Sequence, residues 1–284
     1  MDQALILELE RLGAAAKPAA ERQLIEGWEL RLGRGTVGRL NSVTTFGARP
    51  YQLFETIETV ERRYQSRRRP VRFRITPLDD ELDELLDARG YERSTEVLVM
   101  TMPTGPVGPD PTIELKPAVT KRWLDGYQAF RQASDERVAE IGESLAALSL
   151  DHVAAIAEAS VGMAVREGGW VGLFDISVAA ERRRQGRGGR LSRRLIGWGH
   201  EHGAINVYPG VGGQSCGQRS LRVDGVRRGV PVLVSRPLLI IQSANACRSS
   251  NLQKSSDRAW VETSITFGAM PASKACCHRA AHRH

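Results

Sequence analysis

Leu173-Phe174-Asp175-Ile176-Ser177-Val178-Ala179-Ala180-Glu181-Arg182-Arg183-Arg184-Gln185-Gly186-Arg187-Gly188-Gly189-Arg190-Leu191 is the stretch on which the reading of the whole chain turns. Trp170 to Val178 is an apolar run of strand length, and Leu191, Leu195, Ile196 and Trp198 recur at helical spacing, predicting a helix from Leu191 to His202. Between them lies a basic, glycine-rich loop. Strand, glycine loop, helix is the order of an anion site: glycines at 186, 188 and 189 let consecutive backbone N–H groups face an anion, and the helix adds the positive end of its dipole. Arg183, Arg184, Arg187 and Arg190 are of the right type to pair with phosphate oxygens. The run RRRQGRGGRLSRR alone also fits an exposed RNA-binding or disordered segment; the ordered flanks weigh against that.

Working outward, the sequence predicts a strand at Ile113 to Leu115 and helices at Lys121 to Gln132 and Glu136 to Leu148. Strands follow at Val153 to Ala157, Val161 to Val165 and Trp170 to Val178, the last two joined by an Arg166-Glu167-Gly168-Gly169 turn. Residues 102–111 hold four prolines and two glycines, which neither a helix nor a central strand tolerates, so 103–112 reads as a linker. Before it come a helix at Ala4 to Leu12 and strands at Trp28 to Leu32 and Asn41 to Thr45. A helix at Tyr51 to Gln65, a strand at Val71 to Ile75, a helix at Asp79 to Ala88 stopped by Gly90, and a strand at Val97 to Met102 complete this half. The fold class is α/β: a sheet flanked by helices, which the resemblance given next implies is mixed, preceded by a smaller α/β domain and followed by an irregular C-terminal tail.

A strand ending Ile176-Ser177-Val178, then Arg183-x-x-Gly186-x-Gly188, then a helix, resembles the R/Q-x-x-G-x-G/A signature of the GNAT superfamily of N-acetyltransferases. The resemblance covers about Ile113 to Ala204. It implies acetyl-CoA as cosubstrate, with the pantetheine arm along Ile176, Ser177 and Val178. The pyrophosphate is then held by Arg183, Arg184, Gln185, Gly186, Arg187, Gly188 and Gly189. It implies direct transfer of the acetyl group to an amine, the thioester carbonyl polarised by a backbone N–H near Ile176. Asp175 either relays the amine's proton through water or is a structural group bonded to a neighbouring loop; both readings stand at this point. His200 and His202 read as residues compensating the dipole at a helix end. The family's late tyrosine, in a pattern like A-L-Y-x-x-x-G-F, has no counterpart after Tyr208.

The chain of 284 residues has a formal net charge of +7 and 41% hydrophobic residues. It has no apolar run near the roughly 18 residues of a spanning helix, and its opening MDQALILELERLG lacks a basic leader segment, so a cytoplasmic protein with no membrane partner is expected. The net charge first suggests a nucleic-acid partner. Its location argues otherwise: residues 1–204 carry 29 basic and 30 acidic side chains, whereas residues 205–284 carry 11 and 3. All four cysteines, at 216, 247, 276 and 277, lie in the second segment, and without a C-x-x-C pair Cys276, Cys277, His278, His282 and His284 make no metal site. Nucleic acid is therefore not the expected partner. QRSLRVDGV, residues 218–226, is compatible with codons that read S-A-L-Y-E-S-M-G-F one base later, which is the missing family pattern. A single-base frameshift between Ala204 and Val207 is the expectation that follows, with an ordinary Ser/Arg-rich tail as the alternative.

The order strand, helix, strand, helix, strand in residues 41–102 resembles the second half of a GNAT fold, but the connection Thr44 to Pro50 has one glycine and a proline and cannot form the amide nest. The expected organisation is a degenerate GNAT-like domain at 1–102, the linker, an acetyl-CoA-binding domain at 113–204 and the tail at 205–284. A catalytically impaired CoA-binding protein and a basic nucleic-acid binder are the alternatives. The sequence names neither the acceptor nor the oligomeric state.

Overall fold

A computed structural model describes residues 2–213, 232–233 and 238–243 of the chain. In chain order the first half comprises α1 (Gln3–Ala15), β1 (Arg22–Ile25), β2 (Trp28–Arg31), β3 (Val43–Thr44), α2 (Leu53–Gln65), β4 (Arg72–Ile75), α3 (Asp80–Ala88) and β5 (Tyr91–Pro103). The second comprises β6 (Ile113–Lys116), α4 (Lys121–Arg131), α5 (Asp135–Ala146), β7 (Asp151–Ala157), β8 (Ser160–Glu167), β9 (Trp170–Val178), α6 (Arg187–Glu201) and β10 (Asn206–Gly213). With β10, two further strands, β11 (Val232–Leu233) and β12 (Leu238–Ser243), lie beyond the composition break, so the described part of residues 205–284 pairs into the sheet where an irregular tail is expected from the sequence. The remainder of the segment after Gly213, with all four cysteines, His278, His282 and His284, lies outside the described residues.

The strands run in the order β1-β2-β3-β4-β12-β5-β10-β9-β8-β7-β6, with β11 also on β5. Pairing is antiparallel except at β3–β4 and β9–β10. Each parallel pair is joined by a crossover helix, α2 in the first half and α6 in the second, so the two halves share a strand–helix–strand unit. This is the mixed sheet flanked by helices that the family resemblance implies. Strand β5 reaches from the first half and pairs with β10, from Asn206↔Pro103 to Gly213↔Glu96.

Three apolar clusters fill the layers. One lies under α2 and α3, around Trp28, Ile57, Tyr64 and Phe73. A second lies between the sheet and α6, where Leu191 and Leu195 are fully buried against Ile176 and Val171. Burying each such leucine contributes about 1.5–3 kcal/mol. The third lies on the opposite face, where Leu9 and Leu12 of α1 join Trp123, Tyr127, Phe174 and Tyr208. The first helix of the chain thus packs on the second half of the sheet.

A buried carboxylate fixes the loop that follows β2. Glu140 of α5 accepts the Val37 backbone N–H at 2.7 Å and the Asn41 amide at 2.7 Å, in a space that Gly33 and Gly35 leave free: a Cβ at either would come within 2.6 Å of the Glu140 carboxylate. Removing this acceptor strands two buried donors. Glu140→Ala is expected to cost about 2–4 kcal/mol in urea unfolding, with Glu140→Gln costing less because it keeps one acceptor oxygen. Unchanged unfolding of both variants contradicts the assignment.

The sequence reading missed β1, whose Arg22-Gln23-Leu24-Ile25 is half exposed and has no apolar alternation. It also placed the starts of β5 and α6 too late. The first turn of α6 carries no apolar residue, so its periodicity begins only at Leu191, although Arg187 to Arg190 are already helical.

Candidate functional site

The register of β8 and β9 shifts beside Gly162. Met163 pairs Phe174 and Val161 pairs Ser177, so Gly162 stands opposite both Asp175 and Ile176. This bulge places Asp175 at φ +54°, a left-handed conformation that aspartate tolerates better than most residues. Gly162 is needed there, since a Cβ would lie 2.4 Å from Ile176 Cδ1. On the other edge of β9, parallel pairing to β10 ends at Pro209↔Leu173. Beyond Leu173 the two strands part, and β10 continues on β5 alone. From Phe174 to Val178, the β9 edge away from β8 therefore has no strand partner among the described residues.

The chain leaves β9 through a turn in which Arg184 has φ +60° and Gly186 φ +74°. Gly186 caps α6 with no side-chain cap, and the first turn contains no acid. The first bond of the helical ladder is Arg190 N–H to Gly186 O at 2.9 Å, so the N–H groups of Arg187, Gly188 and Gly189 precede it and have no intrahelical acceptor. Three amides at the positive end of a helix form an anion cradle. The arginines divide by task. Arg183 donates to Val178 O at 3.2 Å and Phe130 O at 3.4 Å, and Arg187 donates to Glu158 O at 3.0 Å, so both brace the loop. Arg190 is held by Asp110 and Thr112, and Gln185 donates to Glu181 O at 3.3 Å. Arg184 is exposed, with no hydrogen bond or ion pair to the described residues.

Asp175 is bound by Lys17, which comes from the segment after α1, 158 residues away in sequence. The lysine ammonium is almost wholly buried, beside Met163 Sδ at 3.8 Å and the Phe174 ring at 5.8 Å. Burial by itself would raise the Asp175 carboxyl; Lys17 first and Arg131 next hold it below the ordinary carboxylate range. Burial lowers the Lys17 ammonium. Arg131, at the end of α4, donates to Ser177 Oγ at 2.7 Å, and that hydroxyl donates to Asp175 O at 3.0 Å. Asp175, Ile176 and Ser177 are thus fixed by groups from α4 and from the first half of the chain. With its folded pKa depressed, Asp175 stabilises the fold above the ordinary carboxyl range, and that contribution is lost as pH falls through the folded value. Asp175→Asn is expected to flatten the acid side of a stability–pH curve measured by urea unfolding; an acid limb as steep as in the parent contradicts this.

Sequence reasoning assembled Asp175 to Val178 with Arg183 to Gly189 in one place, as the structure does. It missed Lys17, Arg39 and Arg131. Lys17 follows a run of alanines and carries no signal. The glycine–arginine run Gly33-Arg34-Gly35-Thr36-Val37-Gly38-Arg39 was the available signal for Arg39, whose guanidinium lies 5.8 Å from the centre of the Phe174 ring. His202 hydrogen-bonds Trp198 O at 2.7 Å and His200 lies 3.4 Å from the Thr104 hydroxyl, both away from the bulge. No group of three or more metal-binding side chains occurs among the described residues, and no helix among them is long and apolar enough to cross a membrane.

The sheet that carries this bulged strand and uncapped helix start has the fold of solved GCN5-related N-acetyltransferases. A structure titled as such an enzyme from Kribbella flavida superposes with TM-score 0.57 at 11% identity, over 85% of this chain and 95% of that one. A sequence-family model described as "Probable histone acetyltransferase Rv0428c C-terminal" matches residues 3–223, and the chain belongs to that family. It is 34% identical over 210 residues to the probable histone acetyltransferase Rv0428c of Mycobacterium tuberculosis, covering 72% of this chain and 65% of that protein. It is 29% identical over 220 residues to the uncharacterized N-acetyltransferase YobR of Bacillus subtilis, covering 72% and 86%. The chain therefore spans a little under two thirds of the length of the mycobacterial relative. Both relatives are named as acetyltransferases.

Proposed function

We propose that the chain transfers an acetyl group from acetyl-CoA directly to an amine, the donor's pyrophosphate lying on the amides of Arg187, Gly188 and Gly189. The observation that carries this reading is the uncapped start of α6 beside an unpartnered strand edge: the first suits a pyrophosphate, the second a pantetheine arm with two amides to pair. Gly186 and the exposed Arg184 complete the cradle, with Gln185 beside them; Arg183 and Arg187 hold its shape. In the reaction the amine nitrogen attacks the thioester carbonyl, and backbone N–H groups at the bulge near Ile176 stabilise the developing oxyanion. The C–S bond then breaks and the thiolate takes up a proton. A carboxylate held as low as that of Asp175 is a weak base. Its service is to fix the bulge, and the amine's proton leaves through water. The acceptor approaches on the α1 side of the sheet, where the first half of the chain, read as a degenerate GNAT-like repeat, shapes its cleft.

Calorimetric titration with CoA, followed by thiol release on a panel of amines, tests the reading. CoA binding with turnover on at least one amine supports it, and no CoA binding overturns it. Binding without turnover favours a CoA-binding protein that has lost catalysis, the reading that the missing A-L-Y-x-x-x-G-F pattern supports. We attribute that absence to a frameshift after Ala204. The shifted reading of residues 218–226 falls outside the described residues, and the family match runs to residue 223. Resequencing decides it: codons at Ser220 and Leu221 that do not yield leucine and tyrosine one base later sink the attribution. A cytoplasmic location fits a CoA-dependent enzyme.

A further inference from the structure

The charges on the α1 side of the bulge are matched one against another, with one exception. Glu10 is taken by Arg74 through contacts of 3.0 and 3.1 Å. Asp175 is taken by Lys17, and Glu29 lies 3.5 Å from Arg31. Glu140 is occupied by the loop that it anchors. Arg39 has neither a hydrogen bond nor an ion pair with any described residue; its contact is the face of Phe174 at 5.8 Å. Arg39 sits in the turn Gly38–Leu40, inside the loop that Glu140 holds, so its position is built. Gly13 makes room for it, since a Cβ there would stand 3.3 Å from the guanidinium. The residue as a whole keeps part of its surface in solvent. Burial first, and the nearby Arg74 second, bring its pKa down to about 10 against the longer-range attraction of Glu10 and Asp175, leaving it charged at neutral pH. An aromatic face offsets only part of the cost of desolvating a guanidinium and leaves its in-plane N–H groups unmet.

We propose that Arg39 recognises a carboxylate on the acceptor, so that the acceptor is a small amino-carboxylate whose amine and carboxylate lie within a few bonds of each other. This rests on the reading that the acceptor enters on the α1 side of the bulge. A planar fork of donors beside Phe174, the neighbour of Asp175 in the bulge, pairs with a carboxylate through two parallel hydrogen bonds. It thereby sets the amine at the β9 edge. A polyamine or other purely cationic acceptor meets like charge there.

N-acetylglycine and N-acetylglycinamide, product analogues differing in the carboxylate alone, separate the possibilities by saturation-transfer NMR on the full chain, with and without CoA. The expected result is binding of the acid at least tenfold tighter than the amide, loss of that preference in Arg39→Met and partial retention in Arg39→Lys. Equal binding of the two compounds, binding of neither, or an undiminished preference in Arg39→Met overturns the proposal. CoA affinity is read separately. If CoA does not bind while the acid is still preferred through Arg39, the donor-site reading fails and the carboxylate site stands.

Discussion

Gly186→Val is expected to weaken CoA binding by roughly 30- to 150-fold, corresponding to about 2–3 kcal/mol, with a smaller loss of thermal stability. Gly186 sits at φ +74° with no neighbouring atom within 4 Å of where a Cβ would be, so the substitution meets no clash. The cost comes from the backbone. A β-branched residue in the left-handed region is disfavoured by about 1–2 kcal/mol, and relief by rotation turns the N–H groups of Arg187 and Gly188 away from a common point. The cradle loses aim before the helix loses stability, because the apolar face of α6 starts only at Leu191. Gly186→Asn, which tolerates the same conformation, is expected to retain most of the affinity. Calorimetric titration with CoA reads both variants. Equal affinity in parent and Gly186→Val removes the amide cradle from the donor site.

Lys17→Met is expected to lower the thermal midpoint by roughly 6–20 °C at neutral pH. Breaking a buried ion pair from one side leaves the other charge in a dry environment at a cost of about 3–5 kcal/mol, and a kilocalorie moves the midpoint by about 2–4 °C in a chain of this size class. Once Lys17 is gone, Asp175 keeps no hydrogen-bonded cation and only the longer-range attraction of Arg131 and Arg137. Combining Lys17→Met with Asp175→Leu removes the stranded charge and is expected to recover more than half of the loss. Scanning calorimetry on the single and double variants checks this. A double variant less stable than Lys17→Met alone contradicts the pairing account.

The elements nearest the function were the most legible. The strand into the bulge, the glycine turn and α6 each follow from local chemistry: apolar run, missing Cβ atoms, helical spacing. Asp175 was found because it is a charge inside an apolar strand. What could not be read is what arrives from a distance. Lys17 meets Asp175 across 158 residues, and Glu140 grips a loop about a hundred residues earlier in the chain; no periodicity encodes such meetings. The arginines illustrate a second limit. Composition marks Arg183, Arg184, Arg187 and Arg190 as equivalent, yet three of them spend their donors on carbonyls and carboxylates of the loop's surroundings, leaving Arg184 exposed. Charge density says that an anion is welcome, and only geometry says which cation is at liberty to greet it.

Strand β5 begins in the first half of the chain and ends paired to β10 of the second, with the proline-rich segment following it directly. That segment has the composition of a flexible joint, but here it works as a clasp. A gene fragment starting at residue 113 would encode a sheet with its β10 edge bare, open to adhesion with any other bare edge. The two halves are therefore held as one sheet, and losing the first uncovers the strand edge of the second.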